Sequence, residues 1–546
     1  MPQRFRLGII AFAVGAAFAL GAFVAPRSDD FFALRKNFQI FGALFEELAS
    51  EYVDDVDATL LMRAGIDAML ERLDPYTTFM DEADQAHIDI LSRGRYGGVG
   101  VTIGMRDDRL TIIETLEGSP AFVQGVRVGD VIEQVGGRIA DEITPADARN
   151  LLRGEPGSVV EVVVSREGVD TPLEFALRRE SVQIDDVSFA GLVDGEAARA
   201  IGYIKLDRFG QSAPREMRDA LARLQDESSL NGLVIDLRGN PGGLLEAAVD
   251  VVGMFVPRGT PIVTTRGRTL ADEITFRTQN EPIDEALPLA VLIDEHSASA
   301  SEIVAGAMQD LDRGVVVGRT SFGKGLVQVV RPLPYNTALK FTKMRYYTPS
   351  GRSIQRVDTS AVDASSLPTH LTRAGRTVRD GLGVEPDAQA GPIRRSELEE
   401  ALERRAAFFL YAGVYAAQTP SLETPFVVTD EVYADFRRWL KRDGFTYRTS
   451  AEDAAGSLLV ELDAAGYDDV RRRALEITSA IESAKDADFD RFEKRLRERL
   501  RQEIAARFMS ESDRIRASFP HDESLKTAVD LLRNESAYRG LLAGSH

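Results

Sequence analysis

From Ile201 to about Asp387, apolar runs of strand length alternate with stretches of helical period, and this alternation restricts the fold more than any other feature. The strand candidates are "IGYIKL", "GLVIDLR", "PIVTT", "LAVLID", "GVVVG" and "GLVQVV"; helical patterns fall at 213–226, 244–255 and 300–310. Such alternation predicts a layered α/β domain. "ALKFTKMRYYTPSGRSIQ" adds a hairpin-like ending, and residues 356–380 read as an exposed, irregular polar loop.

With 546 residues the chain is long enough for two to four compact units. Arg4 and Arg6 precede an uncharged run from Leu7 to Ala25, close to the length that spans a bilayer. Residues 1–28 therefore read as a signal or membrane anchor. An uncleaved anchor is favoured, because Ala17-Phe18-Ala19, which could serve a signal peptidase, lies inside the run. Positive charge ahead of it places the rest of the chain on the extracytoplasmic, periplasmic side of the cell membrane. Residues 29–94 form a helical region in which Leu34, Phe38, Phe41, Phe45 and Leu48 draw one apolar stripe, a core or dimer contact. Pro75 in "LDPYTTF" ends the second helical pattern.

Residues 95–180 carry short β-rich runs, "VGVTIG", "LTIIET", "DVIEQV", "SVVEVVVS" and "PLEFALRR", separated by Gly and Asp turns. Thr144-Pro145 starts a helix that should run through Leu152. Ahead of the first strand, the glycines of "YGGVG" let consecutive amides converge on an anion. With "SPAFVQGVRVGDVIEQVGG" this segment resembles a PDZ domain. The resemblance implies capture of a peptide carboxylate by the amides of Gly98, Val99 and Gly100, with the peptide added as a strand beside "VGVTIG". Residues 391–546 are helical: Ser396 and Glu399 form a capping box, and Phe489, Phe492, Leu496, Leu500, Ile504 and Phe508 trace one helix face. No chemistry is assigned there; the segment reads as packing on the α/β domain or on another subunit.

Lys plus Arg number 66 against 86 Asp plus Glu, a net charge of −20, which opposes binding to nucleic acid or anionic lipid. The absence of cysteine excludes disulfides, thiolate metal sites and a cysteine nucleophile.

The chemistry falls on "DEHSASASEIVAGAMQD". A strand ending near Asp294 and a helix beginning at the serines aim the turn at a crevice and the helix amino terminus at developing negative charge. Ser297, Ser299 and Ser301 compete with a capping role. Any nucleophile among them needs a base. The histidines are His87, His296, His370, His521 and His546, and no pattern supports a Ser-His-Asp triad. A buried neutral lysine is the alternative. "TSFGKGLVQVV" supplies Lys324 between Gly323 and Gly325, whose lack of side chains allows close backbone approach, and Gln328, which could orient an amine without stabilising its charge.

The ordered motifs "LDPYTTF", "GGVGV", "LRGEPG", "IGYIKLDRF", "GLVIDLRGNPGG", "SASASEIVAGAMQD", "GRTSFGKGLVQ" and "YYTPSGRSIQ", over about residues 36–387, resemble the C-terminal processing peptidases, or tail-specific proteases. In that family a PDZ domain is embedded in a Ser/Lys protease of crotonase-like architecture, here residues 181–390. The resemblance implies that Ser299 is the nucleophile, Lys324 the general base and Gln328 the residue that positions it. Asp310 matches a family acid and reads as structural, because a carboxylate on Lys324 would favour the charged amine. Gly242 and Gly243 of "DLRGNPGG" should open a helix through Gly253 and face an oxyanion together with the Ala300 amide. Arg153 of "LRGEPG" is implied to couple the PDZ domain to the active site.

The expectation is a serine endopeptidase that needs no metal or organic cofactor and acts on proteins or peptides with free, apolar C-termini. A homo-oligomer or an activating adaptor is compatible with it. The rivals are a catalytically inactive membrane-tethered PDZ adaptor, which intact Ser299, Lys324 and Gln328 oppose, and a crotonase-like acyl-thioester enzyme, for which a peptide-tail reader has no use.

Overall fold

The computed structural model describes residues 28–80, 94–193, 200–357, 363–391, 395–423 and 425–544. The expected anchor at 7–25 lies outside these residues; among the described residues no helix is long and apolar enough to cross a membrane.

The centre of the larger unit is a six-stranded sheet built from β1 (Val187–Leu192), β2 (Ala200–Leu206), β3 (Leu230–Asp236), β4 (Leu289–Ile293), β5 (Val315–Gly318) and β6 (Ala388–Gln389), paired in that order. Only β1 and β2 are antiparallel; the other four pairings are parallel. The continuous apolar runs follow from burial on both faces. All five residues of β4 are buried. Leu289, Val291 and Ile293 join Leu233, Ile235 and Val316 on one face, covered by α1 (Ala213–Glu227), α2 (Leu245–Val252) and α3 (Ala300–Asp310).

The alternate residues Val234, Ala290, Leu292, Val315 and Val317 face the other way, against Phe519, Leu525, Ala528, Val529, Leu532 and Tyr538. These come from the last turns of the chain, including α4 (Glu523–Arg533) and α5 (Glu535–Leu542). The Tyr538 hydroxyl accepts from the Leu289 amide at 2.9 Å and donates to the Leu289 carbonyl at 3.0 Å. Asp522, which caps α4, forms a two-pronged ion pair with Arg238 at the end of β3. The stretch beyond residue 390 thus completes the core of the α/β domain itself. A chain ending at Ser518 is expected to yield no soluble folded core, because each exposed large apolar side chain forfeits about 1.5–3 kcal/mol. Soluble yield and the thermal transition by circular dichroism check this.

The remaining carboxy-terminal helices, chiefly Glu397–Arg404, Ala407–Gln418, Asp430–Arg442 and Glu493–Ala505, enclose a separate core. Leu496, Leu500 and Ile504 are fully buried there with Phe489, Phe492 and Phe508 packed against them, as the apolar periodicity predicts. The capping box of Ser396 and Glu399 is present.

The PDZ segment folds about its own core of Val99, Ile103, Ile112, Val135, Val162 and Leu177. Its strands order as Val101–Arg106, Arg109–Thr115, Val131–Val135, Val159–Ser165 and Leu173–Arg178, so the "VGVTIG" strand is an edge. The helix Pro145–Leu152 starts at Thr144 with a capping box to Asp147, and it contacts this edge strand. Arg95–Gly98 and Glu180–Gln183, where the chain enters and leaves the domain, pair as a two-stranded ribbon.

The region 356–380 departs from the loop expectation. Thr369–Leu371 and Thr377–Arg379 form a hairpin, and Arg376 holds it to Asp312, to Asp387 and to the Gln309 carbonyl. Polar composition masked an element whose order comes from ion pairs.

A smaller unit holds the helices Ser28–Glu51 and Ala58–Leu70, the strand Thr78–Met80 and residues 329–341. Thr78, Phe79 and Met80 pair antiparallel with Lys340, Leu339 and Ala338. Within it Phe38, Phe41 and Leu48 of the apolar stripe are exposed.

Candidate active site

The sheet delivers two loops from the carboxyl ends of adjacent parallel strands, where α/β sheets place their chemistry. One is "LRGNPGG" after β3; the other is "DEHSASAS" after β4. The Asp294 carboxylate accepts from the amides of Gly239, His296 and Ser297 at 3.0, 3.0 and 3.1 Å. The Asn240 carbonyl accepts from the Ala298 amide at 3.0 Å and from the Ser301 hydroxyl at 2.9 Å. The loops are thereby sewn into one rigid rim.

The three serines are no longer equivalent. Ser297 is buried, and its hydroxyl donates to the Leu237 carbonyl at 2.8 Å. Ser301 is buried and committed to Asn240. Ser299 alone of the three reaches the surface. Its backbone sits at φ 57°, ψ −112°, just ahead of α3. A non-glycine residue there costs about 1–3 kcal/mol, strain of the kind that presents a nucleophile on a sharp strand-to-helix turn.

Gly242 makes this turn possible. A Cβ on Gly242 would lie 2.7 Å from the Ser299 Cβ and 2.9 Å from the Ala300 nitrogen, so any side chain would occupy the space beside Ser299. The expected oxyanion set of Gly242, Gly243 and Ala300 needs one correction. The Gly242 amide donates to the Asn240 side-chain oxygen at 2.8 Å and is spent on shaping the loop. The Gly242 carbonyl accepts from the Phe209 amide at 2.9 Å, so the planar peptide turns the Gly243 N–H away from Phe209. The helix starts at Leu245 rather than at the glycines, so of the expected set only Gly243 and Ala300 stay candidates.

The loop carrying Lys324 meets this rim through a residue that sequence reasoning missed. Glu302 is fully buried. Its Oε2 accepts from the Ser299 amide and from the Lys324 amide, each at 2.8 Å. Since both sit 2.8 Å from one oxygen, the two nitrogens lie no more than twice that distance apart. Its Oε1 accepts from the Gly323 amide at 2.6 Å and from the Ser321 hydroxyl at 2.5 Å. Burial pushes the Glu302 carboxyl above its usual range, and these hydrogen bonds work against the rise. Ser299-x-x-Glu302 has the spacing of a capping box, a signal that could have marked Glu302.

The close-approach argument for the flanking glycines holds. A Cβ on Gly323 would lie 2.6 Å from the Arg356 Cβ, and one on Gly325 would lie 2.7 Å from the Gln355 nitrogen. The Lys324 ammonium nitrogen lies 3.4 Å from Gln328 Oε1, the contact expected of the two. Asp310 is elsewhere in the hydrogen-bond pattern: buried, it pairs with Arg352 at 2.9 Å and accepts from Thr348 and Ser350, the structural role expected of it. His296 is mostly exposed and turned to Glu295, while His370 faces Asp380.

In the PDZ segment the Val99 carbonyl accepts from Ala121 at 3.1 Å, and the Gly100 carbonyl from Leu116 at 2.9 Å. The Gly100 N–H, opposite the Val99 carbonyl in its peptide plane, therefore points away from Ala121. Gly100 has φ 77°, and a Cβ there would lie 2.1 Å from that of Ser119, so only glycine fits. Gly98 pairs with Glu180 in the ribbon. Arg153 lies over the Tyr96 ring, 5.4 Å from its centre, and the next amide, Gly154, donates to the Gly97 carbonyl.

A cavity of about 930 Å³ lined by Lys205, Arg238, Arg319, Arg499 and Asp522 opens beside the rim and shares Arg238 and Asp294 with the two loops. Its arginines are paired with Asp236 and Asp522, Glu295 and Glu403. Among the described residues no cluster of three or more His, Asp or Glu side chains could hold a metal ion.

An accessible hydroxyl, an amine on the adjoining loop and two amides at one rim are equipment for acyl transfer, and on an α/β core carrying a PDZ domain they define a serine-type peptidase. Residues 200–361 match Peptidase family S41, residues 112–166 a PDZ domain, and residues 398–532 the probable PDZ-protease, C-terminal helical domain. The chain is 36% identical over 320 residues to the carboxy-terminal-processing protease of Bartonella bacilliformis, covering 58% of this chain and 72% of that one. It is 31% identical to the carboxy-terminal processing protease CtpB of Bacillus subtilis, covering 62% and 70% of the two chains. A solved photosystem II D1 C-terminal processing protease aligns at 28% identity with a TM-score of 0.36, over 64% of this chain and 92% of that one. On the strength of the sequence relatives, the chain belongs to the carboxy-terminal-processing proteases of peptidase family S41.

Proposed function

We propose that the protein is an endopeptidase that reads the free C-terminus of its substrate with residues 95–180 and cuts with Ser299. Neutral Lys324, oriented by Gln328, takes the Ser299 proton; the serine oxygen attacks the scissile carbonyl; the oxyanion is held by the Gly243 and Ala300 amides. The returning proton passes from Lys324 to the leaving amine, and water then hydrolyses the acyl-enzyme. The observation that carries this reading is the single carboxylate oxygen of Glu302 shared by the Ser299 and Lys324 amides.

The open edge of Val101–Arg106 beside the helix Pro145–Leu152 supports strand addition by a substrate tail, its carboxylate received by the glycine loop ahead of it. The apolar run at 7–25 supports tethering at the extracytoplasmic face of the membrane. The inactive-adaptor and thioester readings fit less well, since each leaves either the dyad or the tail reader without a task.

The test compares an unstructured protein with a free apolar tail against the same protein with its tail amidated, products being followed by intact mass. The amidated form is expected to be cleaved at least about tenfold more slowly, having lost the charge-assisted hydrogen bonds of its carboxylate. Equal rates would remove the tail-reading role.

A further inference from the structure

Resting on the Ser299–Lys324 reading, we infer that Tyr346 is a positioning residue for the dyad, its hydroxyl bridging the main chains of the nucleophile and the base. Tyr346 stands near the end of the strand Thr337–Tyr347, its ring buried and its amide donating to the Gly325 carbonyl at 3.0 Å. Its register opposite Thr265 fixes the root of the side chain in a sheet. The hydroxyl lies 3.0 Å from the Ser299 carbonyl oxygen and is hydrogen-bonded to the Lys324 carbonyl oxygen.

Together with Glu302 this makes a bracket. Glu302 accepts from the amides of Ser299 and Lys324, and the one Tyr346 hydroxyl proton is shared between their carbonyls, so two side chains reach all four main-chain polar groups of the pair. The bracket matters because Gly323-Lys324-Gly325 is pliable backbone whose position is set by what holds it from outside. Without the hydroxyl, the Lys324 carbonyl loses its anchor, while the Gly325 amide still donates to Gln355 and the Gly325 carbonyl still accepts from the Tyr346 amide. The loop then stays in place, but the Lys324 peptide can tilt and shift the amine relative to the Ser299 hydroxyl. Misplacement by about 1 Å can cost roughly 10²-fold in rate. Tyr346 touches neither substrate nor the reacting atoms in this scheme; it acts through Lys324 and Ser299.

The variant Tyr346→Phe keeps the ring and removes the bridge. With the full chain and a synthetic unstructured peptide ending in three valines, kcat is expected to fall about 10- to 100-fold. KM should stay within about twofold, because the tail is read elsewhere, and the melting temperature within about 3 °C. A kcat within twofold of wild type overturns the inference. So does a loss of activity that tracks melting, or one that appears in KM alone, since either describes a merely structural tyrosine. Should Tyr346→Phe melt below the assay temperature, 3-fluorotyrosine at the same position alters donor strength while keeping shape, and an unchanged kcat there is equally fatal. Ser299→Ala and Lys324→Ala run alongside. Near-wild-type activity in either, or no cleavage by wild type, defeats the underlying reading, whereas two controls slowed at least about 10²-fold beside a fully active Tyr346→Phe defeat only the inference.

Discussion

Ser299→Ala leaves no measurable proteolysis, a fall of about 10⁶-fold of the size seen when a serine protease loses its nucleophile, while the melting temperature holds or rises. No loss is expected because the Ser299 hydroxyl is not part of the bonds that sew the two loops together, and alanine keeps the same Cβ at the same positive φ. The neighbouring serines predict the opposite pattern. Ser297→Ala removes a buried hydroxyl that donates to Leu237 and accepts from the Asp294 amide, and Ser301→Ala removes the tie to Asn240. Each should cost about 1–3 kcal/mol of stability and retain a nucleophile. Intact-mass analysis of peptide products together with thermal melting separates the two classes. Cleavage by Ser299→Ala, or its abolition by Ser297→Ala in a folded protein, would move the nucleophile elsewhere in the turn.

Lys324→Ala is expected to lose about 10²- to 10⁴-fold in kcat, the range for removing a general base. Lys324→Arg should be no better, since a guanidinium cannot give up its proton near neutrality. Only the uncharged amine accepts a proton, so wild-type activity climbs as pH rises and the ammonium is deprotonated. At the acid end a second loss adds to the first. Burial raises the Glu302 carboxyl above its usual range, so it takes up a proton at higher pH than an exposed glutamate would. That proton removes acceptor capacity from the bracket, and activity should drop more steeply with falling pH than one titrating amine allows. Initial rates across pH for wild type and Lys324→Ala check the base. A histidine-like profile that survives in Lys324→Ala would reject it; His296 turns to Glu295 and His370 to Asp380.

Much of the fold was legible because local chemistry and tertiary need agree. The helix Pro145–Leu152 begins and ends where Thr144-Pro145 and the apolar spacing predict. β4 lies where an uninterrupted apolar run is bounded by Pro288 and Asp294. Residues 369–379 were misread as loop because their order comes from Arg376 reaching carboxylates far away in sequence. The carboxy-terminal helices were legible as helices, but nothing in their period says that Leu525, Val529 and Leu532 seal the protease sheet.

The site divides in the same way. Residue types and spacing determine that a serine-bearing elbow follows one strand, that a glycine-flanked lysine opens another and that no histidine pattern competes; these are properties of short segments, so sequence expresses them directly. Tertiary structure alone decided that Ser297 and Ser301 are consumed as ties, that the Gly242 amide is turned inward to Asn240, and that Glu302 and Tyr346 hold the main chains of both Ser299 and Lys324. Each of these turns on which donor meets which acceptor across as many as 61 residues of chain, and such pairing exists only once the two loops have been brought to the same end of the sheet.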